Sequence, residues 1–391
     1  MLMVLMAAVL ITLGLVIGWV FFGPDAGFIG IIIASAIWLV LAMVSFSSGD
    51  RILLAASRAA PVTHDVNPQL FNIVEEMSIA AAVPMPTVYI IPDPAPNAFA
   101  TGRNPQSASV AVTAGLLAKL NRDQLQGVVA HEISHILHRD ILFVTLAGIM
   151  LGSIVLLSQV FLRGMFYGSM TSSRRRYSSG RGGGGGQAQL VLLVVAIAAA
   201  ILAPIMAQFL YFAISRRREY LADAGAARLT RYPEGLASAL ETIANDKSPQ
   251  LASVNKVTAP MYIVNPFKKK NALKLSDLTS THPPISERIK ILRNMTAGAS
   301  FNDYSNAFAA VTKTATVVPA VALTKETLPL RQAGPVQKQP IEKQLRQVGD
   351  IMRRVNGFIF LTCTCGLTLK IPPNYKTKKV NCPKCKKIHN L

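Results

Sequence analysis

Val128 to His138 reads VVAHEISHILH, and three of its residues have the types and spacing to cut a peptide bond. Side chains four apart share one face of an α-helix, so the imidazoles of His131 and His135 can meet a single ion. Glu132 stands beside the first histidine and points toward the open side of that ion, where water binds. Zinc held by three protein ligands lowers the pKa of its water to about 7, so hydroxide is available at neutral pH. Glu132 can take the proton and pass it to the leaving amine. With six His in the chain, H-E-x-x-H arises by accident in roughly one such chain in a few hundred.

A third ligand is required. The position ten after His131 is Ile141, so a third histidine at that spacing is excluded. His138 lies on the right face but one turn too far along, and reads as an interface residue beside Arg139 and Asp140. The better candidate is Glu219 in Arg218-Glu-Tyr-Leu-Ala-Asp223. Glu219 and Asp223 share a helix face, so one can bind the ion while the other accepts an imidazole N–H. Spacing alone weighs this evenly against two solvated acids balancing Arg216 to Arg218.

At 391 residues the chain has room for two or three domains. Its apolar fraction is 51% and its charged fraction 15%, against about 25% charged in soluble proteins. The deficit implies lipid-facing segments. Lys and Arg outnumber Asp and Glu by 40 to 20, an excess explained by cytoplasmic helix ends and anionic lipid, so nucleic acid is not expected as a partner.

Residues 1–22 and 27–47 carry no charge and are each about long enough to cross a bilayer, giving a transmembrane hairpin over 1–48. The turn holds only Asp25, whereas Arg51 and Arg58 follow, so the residues after 50 face the cytoplasm. Residues 49–140 read as the first part of a soluble domain. A helix is expected over 67–82, a strand over 87–91, a second strand over 107–113 at a sheet edge, and a helix opening at Asn121 with Gln124 completing a capping box. Asn97 and the strand 107–113 are candidates for a substrate cleft, where a peptide pairs through main-chain hydrogen bonds.

The segment 141–214 holds two further apolar runs, 141–162 and 190–214, around a Gly/Arg-rich loop. If both runs span, that loop lies outside with five basic residues, counting Arg163. Either Arg216 to Arg218 outweigh them or the pair is a re-entrant hairpin, and spanning is the reading kept. Residues 215–310 return to a soluble helical pattern, 311–355 read as a linker, and 356–391 form a small module. That module holds all four cysteines: Cys363, Cys365, Cys382 and Cys385. Two thiolate pairs sixteen residues apart suit the four-sulfur cage of a structural zinc ribbon, with two disulfides as the alternative. The first pair is C-x-C rather than C-x-x-C.

The residues together resemble a family. His131-Glu-Ile-Ser-His135, Arg218-Glu-Tyr-Leu-Ala-Asp223, Thr281-His-Pro-Pro-Ile-Ser-Glu-Arg288 and Asn97-Ala-Phe-Ala-Thr-Gly102 are similar, in that order, to motifs of the HtpX-type membrane metalloproteases, relatives of the CaaX prenyl proteases. The resemblance covers residues 1 to about 295. It implies an α+β, mainly helical fold: a gluzincin-like metalloprotease domain with a small sheet, four hydrophobic membrane helices, and here an added C-terminal zinc ribbon. It also implies His131, His135 and Glu219 as zinc ligands, Glu132 as catalytic base, and misfolded or damaged membrane proteins as substrates, cut at the cytoplasmic face of a bacterial inner membrane. His282 is expected to hydrogen-bond the tetrahedral oxyanion or to cap the zinc in the resting enzyme. The expected partners are the lipid bilayer and membrane-protein or peptide substrates. The competing readings are a site-2-type or prenyl-peptide protease, and a catalytically silent scaffold that binds partners through the ribbon. Polar Arg122, Asp123, Gln124 and Gln126 ahead of the motif argue for zinc in water at the membrane edge, and an undamaged site argues against a silent scaffold.

Overall fold

The computed structural model describes residues 2–22, 27–171, 186–246, 263, 283–314, 318–323, 327–334, 340–375 and 379–390. The chain divides into two compact units.

The first unit takes in residues 1–52 and 139–219. Its helices are α1 (Leu2–Phe22), most of α2 (Gly27–Ala56), α6 (Asp140–Thr171) and the larger part of α7 (Gly186–Thr230). Helices α1 and α2 approach closely because Gly14 and Gly18 face Gly30 and Ala34. A Cβ built on Gly30 would lie 2.0 Å from the Gly14 carbonyl oxygen, and one on Gly14 would lie 2.6 Å from Ala34 Cβ. Small residues four apart on both partners let two apolar helices pack without a water-driven core. Val4, Phe28, Ile32, Met43, Val160 and Val194 leave large apolar side chains exposed, a surface that suits lipid rather than water.

Four membrane helices were expected. Among the described residues one stretch, Gly27–Val44, is long and apolar enough to cross a bilayer, and Val4–Trp19, Ser153–Gly164 and Leu193–Ala207 are shorter apolar stretches within their helices. The Gly/Arg-rich loop lies outside the described residues. Helix α5 (Arg122–Leu137) ends before α6 begins, and Arg139 between them takes φ 57°, a left-handed backbone that stops the ladder.

The second unit carries the sheet. It contains β1 (Ala60–Pro61), α3 (Pro68–Ala80), β2 (Thr87–Ile91), β3 (Ala98–Thr101), β4 (Ser109–Thr113), α4 (Ala114–Lys119), α5, the end of α7, α8 (Pro233–Ala244), α9 (Ile285–Arg293) and α10 (Phe301–Thr312). Strand order is β1-β2-β4-β3, with β2 and β4 parallel and β3 antiparallel to β4. The strand expected at an edge is therefore interior. It starts at Ser109 rather than 107, is buried throughout, and leaves β3 at the edge. Helix α3 is capped by Asn67, just before its first residue, whose side-chain oxygen accepts from Leu70 N at 3.0 Å. Buried Leu70, Ile73 and Val74 of α3, Leu125, Val128 and Val129 of α5, and Leu236 and Leu240 of α8 form the core around the motif helix.

The stretch 311–355 is not a plain linker. It holds the last turn of α10 and a 15-residue helix, α11 (Ile341–Val355). Ile341, Leu345, Val348 and Met352 recur at spacings of four, three and four, enough to define one apolar face. The last residues form two hairpins, β5 (Ile359–Thr362) with β6 (Thr368–Ile371), and β7 (Lys379–Asn381) with β8 (Ile388–Asn390).

Candidate metal centre

Helix α5 positions three of the four candidate residues. Its first turn is closed by a capping box, in which Asn121 Oδ1 accepts from Gln124 N at 2.9 Å and Gln124 Oε1 accepts from Asn121 N at 3.0 Å. Gly127 lets the helix approach α8, since a Cβ there would lie 2.6 Å from Leu236 N. His131 and Glu132 are 1% and 2% exposed, and His135 is half-buried. Glu219 comes from α7, which runs unbroken from the apolar run through Arg216–Arg218 to Thr230.

The ligand atoms of His131, His135 and Glu219 lie within 4.8 Å of one another. The two Nε2 atoms are 3.2 Å apart. Two nitrogens bound to one tetrahedral zinc at about 2.05 Å would be separated by about 3.3 Å. That match, and a donor set of two imidazoles and a carboxylate, fit zinc at a hydrolytic centre. His138 does not join the group. Its Nδ1 lies 2.8 Å from Ser134 O at the end of α5.

Behind the group is a fully buried chain of charge. Asp223 Oδ1 lies 3.0 Å from His131 Nδ1, and Arg288 donates to the same carboxylate through Nε at 2.8 Å and Nη2 at 2.7 Å. Burial alone would raise the Asp223 carboxyl, but Arg288, together with the bond to His131, holds it below its usual range. Burial lowers His131 despite the Asp223 bond, favouring the neutral imidazole that a metal needs. A carboxylate on Nδ1 leaves Nε2 as the ligand atom. Arg288 also donates through Nη1 to Ile263 O at 3.2 Å.

Arg288 belongs to the quoted motif but was given no role from sequence. The signal was present, because Arg288 shares a face with buried Ile291 and Leu292, and a cation on the apolar side of a helix needs a buried anion. Next to it, Tyr220 donates to Glu287; burial and that bond raise the phenol pKa.

Asn97 is buried and holds the start of β3. Its N–H donates to Thr113 Oγ1 at 2.9 Å, its carbonyl accepts from Thr113 N at 2.9 Å, and its Oδ1 accepts from Ala98 N at 3.1 Å. Ala98 O accepts from Ile263 N at 3.0 Å, so the first residue of the edge strand is already engaged. His282 lies outside the described residues.

The four cysteines form a second group, with all sulfurs within 4.8 Å. Cys363 and Cys385 are 3.3 Å apart, and Cys365 and Cys382 are 3.6 Å apart. These separations exceed the roughly 2.05 Å of a disulfide and approach the roughly 3.8 Å expected across a four-sulfur zinc cage. Each pair sits on a closed turn. Gly366, at φ 83°, donates to Cys363 O at 2.9 Å, and Lys386, at φ 60°, donates to Cys382 O at 2.8 Å. The backbone N–H of Cys365 and neighbouring sulfurs lower the Cys363 thiol to about 5, while, against the backbone N–H of Lys387, the Cys363 sulfur pushes Cys385 up to about 12, so one thiolate and one thiol share the close pair.

Residues 64–296 match peptidase family M48. The chain is 49% identical over 271 residues to a protease HtpX homolog of Dictyoglomus turgidum, covering 69% of this chain and 84% of that protein. It is 42% identical over 293 residues to a protease HtpX homolog of Caldanaerobacter subterraneus, covering 75% and 93%. Among solved structures it is similar to S. mikatae Ste24p, with 20% identity and a TM-score of 0.40 over 67% of this chain and 57% of that one.

Proposed function

Because the chain belongs to peptidase family M48 and is a membrane metalloprotease of the HtpX type, we propose that His131, His135 and Glu219 hold its catalytic zinc and that Glu132 is the general base. The observation that carries this reading is the 3.2 Å separation of the two Nε2 atoms within a group that includes Glu219.

When bound there, zinc acidifies water and polarises the scissile carbonyl. Glu132, on the same helix as both imidazoles, takes the proton of the attacking water and delivers it to the leaving amine. Asp223 accepts the Nδ1 proton of His131 and so keeps Nε2 aimed at the ion. Arg288 keeps Asp223 ionised in a site that would otherwise favour its acid form. An extended substrate pairs along the β3 edge of the sheet, where main-chain bonds give affinity with little demand on sequence. His282 belongs to this reading as a donor to the oxyanion or a cap on the resting ion.

The finer biological reading also belongs here. The protein is a multi-pass endopeptidase with four membrane helices, an active site facing the cytoplasm, and misfolded or damaged membrane proteins as substrates. Its parts are a hairpin over 1–48, a protease domain split over 49–140 and 215–310 by the membrane pair 141–214, and a zinc ribbon over 356–391 closed by a second, structural zinc. Broad recognition along a strand edge suits substrates marked by lost structure rather than by a sequence.

Metal analysis of the purified chain beside self-cleavage of wild type and Glu132→Gln tests the proposal. Zinc should restore self-cleavage to apo wild type and leave the variant intact. A variant that processes itself at the wild-type rate would remove Glu132 from the chemistry.

A further inference from the structure

Residues 356–391 carry seven lysines, no arginine and no acidic residue. Four thiolates on one divalent ion contribute two negative charges, which leaves the module strongly cationic. Lys384, Lys386 and Lys387 are exposed together on the turn that presents Cys382 and Cys385, and Ile388, which follows, is 59% exposed. The turn is closed by Lys386 N to Cys382 O at 2.8 Å and Cys382 N to Lys387 O at 2.9 Å. Three ammonium groups and an aliphatic side chain therefore project from a fixed backbone.

The other side of the module is occupied. Lys370 pairs with Asp350 of α11, Arg354 of α11 lies 4.9 Å from the centre of the Phe360 ring, and Arg354 Nη1 donates to Val66 O at 3.3 Å. The module is thus held to the protease through α11, with its lysine-bearing turn on a separate, exposed hairpin.

We propose that the turn Cys382–Ile388 is a docking surface for an anionic bilayer, its lysines meeting lipid phosphates and Ile388 entering the headgroup boundary. Three features select this partner. Every cation in the module is a lysine, a flexible point charge, whereas bidentate recognition of defined phosphates or carboxylates favours arginine. The Phe360 ring is half-buried beneath Arg354 and Phe358 is half-buried as well, so Tyr375 is the one exposed aromatic among the described residues of the module, too little for the stacking platform a single-stranded nucleic acid uses. The chain is a membrane protease, so a bilayer is always within tether range and even weak affinity gives docking. A lysine at an anionic surface is worth about five-fold in binding, so three give roughly a hundred-fold.

The test uses the full chain in nanodiscs of phosphatidylcholine alone or with about a third phosphatidylglycerol, an anionic lipid, read by hydrogen–deuterium exchange over residues 379–390. Protection should appear in the anionic discs and vanish near 1 M salt, where screening acts within about 3 Å. In Lys384→Gln/Lys386→Gln/Lys387→Gln the docking constant should fall roughly a hundred-fold, with bound zinc and peptide cleavage unchanged. Equal exchange in the two lipids overturns the proposal, as does protection that appears in neutral discs on adding single-stranded RNA or an acidic polypeptide and not in anionic discs. If the triple variant loses zinc, the salt response of wild type and the loss of protection in Ile388→Ser decide the matter alone.

Discussion

Replacing Arg288 by Met tests the buried support of the metal centre. The guanidinium and the Asp223 carboxylate are both fully buried and joined at 2.7 and 2.8 Å. Methionine fills much of the same volume without charge, so packing changes little while Asp223 loses its largest stabilising partner. Leaving one member of a buried pair uncompensated costs about 3–5 kcal/mol, which for a unit of this size is roughly 6–20 °C of melting temperature. The double variant Asp223→Asn/Arg288→Met removes both charges and should recover most of that loss, because the uncompensated charge, rather than a missing attraction, sets the penalty. Zinc affinity should not recover. Asn is a poorer acceptor for the His131 N–H, and such supporting bonds are worth about 10- to 100-fold in metal affinity. Thermal scans of the apo protein and competitive zinc titration measure the two effects separately. A double variant as unstable as Arg288→Met, or a single variant as stable as wild type, would refute the argument.

Three further outcomes follow from named contacts. Gly127→Ala gains helix propensity of about 1 kcal/mol but sets a Cβ 2.6 Å from Leu236 N; a net loss of about 1–3 kcal/mol is expected from overpacking against backbone, read by thermal scan. Cys363→Ser should release one zinc equivalent and speed exchange in both terminal hairpins while peptide cleavage persists; loss of cleavage would tie the ribbon to catalysis. His282→Ala, with zinc retained, should lower turnover where the side chain serves the oxyanion and raise it where the side chain caps the resting ion, and unchanged cleavage of a peptide would rule out both of its assigned roles.

The part of the site legible in sequence was the part written at short range. His131, Glu132 and His135 are fixed by one helix, and the Asn121–Gln124 box that starts it was readable too. Glu219 was not decidable from spacing, since its meeting with the histidines depends on how α7 runs, and the family resemblance carried it. The position of the 109–113 strand was misread because edge or interior status depends on partners: β2 pairs in parallel across a crossover and β3 returns antiparallel, and neither is visible in the alternation of the strand itself. Apolar runs marked where lipid-facing surface ends but not where hydrogen bonding ends. Helix α7 therefore continues past its charged triplet to Thr230. Helix α11 was overlooked for a different reason. Its four-three-four spacing is regular, but the Thr- and Pro-rich stretch before it dominated the composition.

The residues beyond the family match are built into the protease unit rather than appended to it. Tyr304 and Phe308 of α10 are buried, and Phe308 meets Tyr220 edge-on at 5.0 Å, one residue along α7 from Glu219. Burying two such rings contributes about 3–6 kcal/mol, comparable with half the stability of an ordinary domain. Farther on, Arg331 N donates to Arg231 O at 2.7 Å, the Arg331 guanidinium pairs with Asp123 at 2.8 Å, and Gly334 N donates to the same carboxylate at 2.8 Å. Asp123 stands in the first turn of α5, where an acid already favours the helix dipole; the extended segment 327–334 therefore grips the start of the helix whose later turns carry the histidines. One end of the extension thus supports the helix of Glu219 and the other supports the helix of His131 and His135. The four-cysteine hairpins come after α11 in the chain, and Arg331 and Gly334, which precede α11, are bonded to Asp123 on the helix that carries the histidines, so a pull on the hairpins is transmitted along the chain toward that helix.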